Sequence, residues 1–157
     1  MTNSEFKKII NNIPEQIVLD RAAQILEYKF LKGKSITSSS EAVEFIRHKI
    51  GGYAKEVFFV SFLDNSHKII ESKIVSTGSI NSASVYPREI IKDSLELNCS
   101  ALIIAHNHPS GSMTPSLGDK EITKSIKDCS ELFRIKLLDH IIIGESYYSF
   151  NEHGLII

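Results

Sequence analysis

Ala101-Leu102-Ile103-Ile104-Ala105-His106-Asn107-His108-Pro109 (residues 101–109) is the most hydrophobic strand candidate in the chain, and it runs straight into two histidines. Five consecutive apolar residues without polar alternation predict a strand covered on both faces, the pattern of an α/β protein. In an extended chain, residues two apart point to the same side, so His106 and His108 can present both imidazoles to one ion. They stand just past the carboxyl end of the strand, where α/β folds gather ligands.

Downstream, Pro109-Ser110-Gly111-Ser112-Met113-Thr114-Pro115 has the Gly, Pro and Ser content of a tight loop that folds back on itself. Ser116 is read as the N-cap of the next helix, with Asp119 at its third position, projecting toward the histidines beside the first-turn amides. Two histidines and one carboxylate make three protein ligands and leave a fourth tetrahedral position open. That is the donor set of a catalytic zinc rather than a structural one. An H-x-H pair alone carries little weight, because hydrogen-bonded structural histidines are commoner. The full string His106-x-His108-Pro109-x6-Ser116-x2-Asp119 is far more specific.

Upstream, the chain reads first as helices and then as strands. Pro14 opens a helix whose apolar residues Ile17, Val18, Ala22, Ile25, Leu26 and Phe30 recur at three- and four-residue spacing, with Gly33 as its stop. Ser38 and Glu41 form a capping box ahead of Ala42, Val43, Phe45 and Ile46, and Gly51-Gly52 ends that second helix. The polar residues 33–40 read as a linker, so residues 1–36 are expected to be an N-terminal helical extension and 37–157 the main domain. The run from Glu56 to Leu63 predicts a buried strand, and 67–76 a second strand antiparallel to it. Pro87 starts a helix with Ile90, Ile91, Leu95 and Leu97 on its apolar face. A helix after Ser116 carries Ile122, Ile126, Cys129 and Leu132 on one side. Strands at 135–143 and 146–150, joined at Gly144-Glu145, complete an α/β sandwich with a mixed sheet and flanking helices.

Composition bounds the function. A chain of 157 residues with 42% hydrophobic content supports one proper core. Lys and Arg total 18 against 19 for Asp and Glu, a net charge of -1, so no global positive field gathers phosphate backbones. The basic pairs Lys7-Lys8 and Lys32 with Lys34 read as solvated surface. Cys99 and Cys129 form no CxxC pair and read as buried thiols of a reducing compartment. With no apolar signal core at residues 1–20 and no membrane-length apolar stretch, the expectation is a cytoplasmic protein that does not enter a membrane.

The string at 106–119 resembles the JAMM signature of the MPN-domain metallohydrolases. The words Val85-Tyr86-Pro87-Arg88-Glu89, Ala105-His106-Asn107-His108-Pro109-Ser110-Gly111, Pro115-Ser116 and Leu138-Asp139-His140 resemble its RadC branch in particular. The resemblance covers residues 37–157 and implies an MPN-type, cytidine-deaminase-like three-layer sandwich. It implies His106, His108 and Asp119 as zinc ligands and Ser116 as the serine on the oxyanion-stabilising side. It also requires a glutamate from an earlier strand as general acid/base. At the positions read as corresponding, the chain has Ser72 and Lys73, and the nearest carboxylate, Glu71, is assigned the role. Glu89 is read as an ion pair or cap beside Arg88. The helix-hairpin-helix module that many RadC-like proteins carry is not expected in residues 1–36.

The resulting expectation is a zinc-dependent hydrolase of amide bonds acting on a peptide or protein substrate. The alternative is a non-catalytic or DNA-repair-associated accessory protein that keeps the metal-binding fold. Deamination of nucleobases is disfavoured because the H-x-E and P-C-x-x-C words are absent. His140 is read as a buried hydrogen-bonding histidine, and His48, His67 and His153 show no metal spacing.

Overall fold

A computed structural model of the chain describes residues 13–31, 35–79 and 84–156, together with 2 and 4. Its elements run α1 (Glu15–Leu31), α2 (Ser39–Ile50), β1 (Val57–Leu63), β2 (Ile69–Thr77), α3 (Pro87–Glu96), β3 (Ala101–Asn107), α4 (Leu117–Glu131), β4 (Lys136–Ile143) and β5 (Tyr147–Ser149). The expected stop at Gly33, the side chain of Phe30 and the lysines at 7, 8, 32 and 34 lie outside the described residues.

The strands form one sheet in the order β2-β1-β3-β4-β5. β3 and β4 are parallel, joined through α4, and every other neighbouring pair is antiparallel. β1 and β3 are buried along their whole length, as their unbroken apolar runs require of central strands covered on both sides.

Strand parity sorts the core into two layers. Val57, Phe59, Leu63, Ala101, Ile103 and Ala105 pack with Ala42, Val43, Phe45, Ile46 and Ile50 of α2. Phe58, Val60, Phe62, Leu102 and Ile104 pack with Ile90 of α3 and with Ile122 and Ile126 of α4. Each large side chain so buried contributes roughly 1.5–3 kcal/mol. The even-numbered residues of β3 therefore face α4, and His106 is one of them.

A bulge interrupts the pairing of β3 with β4. Leu102 pairs with Leu137 but Ile103 pairs with Asp139, leaving Leu138 as the extra residue. The bulge reverses the parity of β4 beyond that point. Leu137 and, three residues on, His140 consequently share the α4 face, while Leu138 packs against the α2 layer.

The helix ends follow the expected chemistry with one shift. Ser38 caps α2 by accepting from the Glu41 N–H at 3.3 Å. The Glu41 carboxylate reaches past Ser38 to the backbone N–H and hydroxyl of Thr37. Three apolar faces are narrower than their periodicity suggests, that of α3 because Leu95 is 51% exposed. Ile17, Val18 and Ile25 of α1 are exposed, leaving Ala23 and Leu26 to contact the core. Leu132, expected on the packed side of α4, is its C-cap and is 81% exposed. Cys99 is buried, whereas Cys129 is only half-buried; both are free thiols. Among the described residues no helix is long and apolar enough to cross a membrane.

Candidate metal centre

Three elements deliver the ligand set. His106 is the penultimate residue of β3, fully buried and facing α4, with its ring stacked on Phe58 of β1 at a centroid distance of 6.2 Å. His108 begins the loop, its N–H held by the Ile143 carbonyl at 2.8 Å, which carries the strand direction past the end of β3. Asp119 is the third residue of α4 and completes a reciprocal capping box. The Ser116 hydroxyl accepts from the Asp119 N–H at 3.0 Å, and the Ser116 N–H donates to Asp119 Oδ2 at 2.7 Å. A cap that in most helices serves the backbone alone here also fixes a carboxylate.

The loop between these residues is pinned to the β4–β5 turn. The Glu145 N–H donates to the Gly111 carbonyl, and a Cβ on Gly144 would stand 2.5 Å from that same oxygen, so only glycine permits the approach. Arg47 of α2 holds the other side of the turn through the Gly144 and Ser146 carbonyls. The loop thus sets the Ser112 carbonyl 2.9 Å from His108 Nδ1.

A carbonyl only accepts, so His108 carries its proton on Nδ1 and turns a bare Nε2 inward. That atom lies 2.9 Å from His106 Nε2, whose own Nδ1 is engaged by His140 Nε2 at 2.8 Å. Asp119 Oδ1 is 3.2 Å from His106 Nε2, and Oδ2 is 3.8 Å from His108 Nε2. One ligand atom from each of the three residues falls within 4.8 Å of the others, a group that could hold a metal ion. Two imidazole nitrogens and a carboxylate gathered this closely are the donor types a divalent cation takes, so the donor set fits a metal.

Electrostatics agree with that fit. Burial alone would raise the Asp119 carboxyl, but a proton on His106 Nε2, standing where a cation would, together with the amide and hydroxyl of Ser116 outweighs it and holds the group well below the ordinary carboxylate range. Full burial, reinforced by the neighbouring His106, holds the His140 ring well below the usual imidazole value and keeps it neutral. His108 is the exposed member, its side chain 13% accessible against 0% for His106 and 4% for Asp119. Approach to the centre is from the His108 side.

A family profile described as the RadC-like JAB domain matches residues 36–155. The chain belongs to that family. It is 45% identical over 140 residues to a UPF0758 protein of Vibrio cholerae, covering 89% of each chain. A second Vibrio cholerae UPF0758 protein is 42% identical over 151 residues, 96% of each. A longer UPF0758 protein of Photobacterium profundum is 43% identical over 140 residues, which are 88% of this chain and 62% of that one.

Within this RadC-like JAB chain, Glu71 does not reach the centre. The row across the sheet through His106 runs to Phe58 on β1 and Ser76 on β2, whereas Glu71 pairs with Phe62, which pairs with Leu102. Leu102 is four residues from His106, about 13 Å along the strand. Glu71 is also exposed. Lys73 points away from the centre as well, pairing with Asp93 of α3 and lying over the Phe62 ring. The register, not the parity, excludes both.

The same register brings up a different carboxylate. Phe58 opposes His106 in the last pair of the β1–β3 ladder, and Glu56, one residue before β1, has the parity of Phe58 and would meet His108 if that register were continued by two residues. Glu56 is half-buried, and its carbonyl accepts from the Gly78 N–H at 2.8 Å, extending the β1–β2 ladder by one step. Asn107, between the two histidines, locks this arrangement. Its side-chain oxygen accepts from the Val57 N–H, and its amide donates to the carbonyls of Tyr53 and Lys55. Glu56 was legible as a carboxylate two residues before Phe58 at the head of a buried strand. Its partner across the sheet was not.

Proposed function

We propose that this RadC-like JAB chain is a zinc-dependent hydrolase of amide bonds in peptide or protein substrates. The observation that carries the reading is the convergence of two imidazole Nε2 atoms and a carboxylate at a strand end, with Glu56 two residues before Phe58, the residue that opposes His106. His106 Nε2, His108 Nε2 and Asp119 would hold the ion. When bound, zinc supplies Lewis acidity, polarising a scissile carbonyl and making an attacking water acidic near neutral pH.

The chain's own groups supply the rest. Glu56 takes a proton from the attacking water and returns it to the departing amine, the proton shuttle that amide hydrolysis requires because an unprotonated amine leaves poorly. Ser116 Oγ accepts from the Asp119 N–H and keeps its own proton to donate to a developing oxyanion. Asn107 holds the backbone on both sides of Glu56, fixing the carboxylate's approach to the His108 side.

The test is cleavage of a library of peptides and isopeptide-linked peptides by the zinc-loaded chain, read by mass spectrometry. Cleavage that disappears in Glu56→Gln supports the reading. An intact library under full zinc loading would instead favour the non-catalytic accessory role.

A further inference from the structure

Behind the ligand set lies a row of buried polar groups that the hydrolytic reading does not use. Thr123 Oγ1 is 2.5 Å from the backbone carbonyl of Asp119 and 2.5 Å from His140 Nδ1. His140 Nε2 is 2.8 Å from His106 Nδ1. Asp119, Thr123, His140 and His106 are all buried, so each partner is a protein atom.

The proton positions along this row follow from its end. A carbonyl oxygen only accepts, so the single Thr123 hydroxyl proton goes to Asp119 O. The hydroxyl oxygen must then accept from His140, which places that ring's proton on Nδ1. A neutral ring with its proton there has a bare Nε2, which accepts from His106 Nδ1–H. His106 is left with a lone pair on Nε2, the atom facing His108 and Asp119.

We propose that Thr123 and His140 are positioning residues that set the His106 tautomer for metal binding, through a one-way hydrogen-bond chain anchored on the Asp119 carbonyl. The chain closes on itself, because Asp119 contributes its carbonyl at one end and its carboxylate, 3.2 Å from His106 Nε2, at the other. The rings cannot turn to escape it. His140 is stacked on Phe150 at 4.6 Å and His106 lies against Phe58. Groups that orient a ligand histidine in this way contribute to affinity without touching the ion.

The proposal rests on the reading that His106, His108 and Asp119 bind a metal, and two measurements separate the two. The first is zinc affinity of the full chain by competition with a chromophoric chelator. Thr123→Val keeps the shape but removes the hydroxyl and is expected to weaken zinc binding by roughly 10- to 100-fold. Thr123→Ser restores the hydroxyl and is expected to bind like the unaltered chain. The second is long-range nitrogen–proton NMR of the histidine rings in the unaltered chain, where His140 is expected as the Nδ1–H tautomer with or without zinc. Unchanged affinity in a folded Thr123→Val, or a His140 proton on Nε2, would overturn the proposal. A chain that binds no zinc defeats the metal reading instead, and the His140 spectrum still decides the direction of the hydrogen-bond chain.

Discussion

His106 Nε2 and His108 Nε2 face each other at 2.9 Å while the Nδ1 of each ring is already hydrogen-bonded. Neither ring can turn its proton inward without breaking a contact on its far side. The expected outcome is about one zinc per chain near neutral pH, measured by elemental analysis of the purified protein. Changing His106, His108 and Asp119 together to alanine should abolish it. The two apolar layers are built without the ion, so the variant should still unfold cooperatively on heating. Full metal retention in the variant would refute the ligand assignment.

The register of β1 against β3 separates two carboxylates. Glu56→Gln should lower turnover of any cleaved peptide by about a hundredfold or more with zinc content unchanged. Glu71→Gln should leave turnover unaltered, since its row crosses β3 at Leu102. Lys73→Glu should not raise activity. It sets a carboxylate against Asp93 in place of an ion pair, and a stability loss of about 1 kcal/mol is expected by chemical denaturation. Steady-state kinetics of the three variants would expose a misplaced register if Glu71→Gln proved the damaging change.

Asp139 gives a pH signature. Burial raises its carboxyl above the ordinary value, against hydrogen bonds from Ser149, Asn151 and His140 that lower it. A carboxyl that binds its proton more readily folded than unfolded adds stability as pH falls through the folded value, complete once pH is below the unfolded one. Asn at this position can still accept from the His140 and Asn151 amides. The stability of the unaltered chain relative to Asp139→Asn should therefore rise as pH drops from neutral toward the ordinary carboxylate range. Urea denaturation of both proteins across that window measures it, and a difference that falls on acidification would contradict the assignment.

With a net charge of -1, the chain should bind duplex DNA no more tightly than ordinary non-specific contact, roughly 10 to 100 micromolar at physiological salt. Nanomolar binding in a salt titration would move the weight to the accessory reading.

The strands and their order of appearance were legible because two central strands carry apolar runs and the helices carry caps. The His106, His108 and Asp119 group was legible because its geometry is local: two residues apart on one strand, then one capped turn. The proposed carboxylate was not, since what separates Glu56 from Glu71 is the row of the sheet on which each stands. Pairing between strands some fifty residues apart leaves no periodic trace in the chain. His140 was read only as a buried hydrogen-bonding residue for the same kind of reason. Counting by twos from Leu137 puts Asp139, not His140, on the inner face, and nothing in Leu137-Leu138-Asp139-His140 announces the bulge.

The extra residue at Leu138 acts as a phase shift, and β4 beyond it is read in the other frame. Were the strand to run regularly through Leu138, its two sides would exchange from Asp139 onward, turning a carboxylate toward His106 and an imidazole toward α2, while Ile141 and Ile143 left the layer they now fill. Removing residue 138 altogether has the opposite result, because Leu137 and Asp139 already meet consecutive residues of β3 and His140 keeps its row. What this point of the chain must preserve is therefore the frame of His140, which a clean deletion of the extra residue keeps and a loss of the bulge with the residue retained does not.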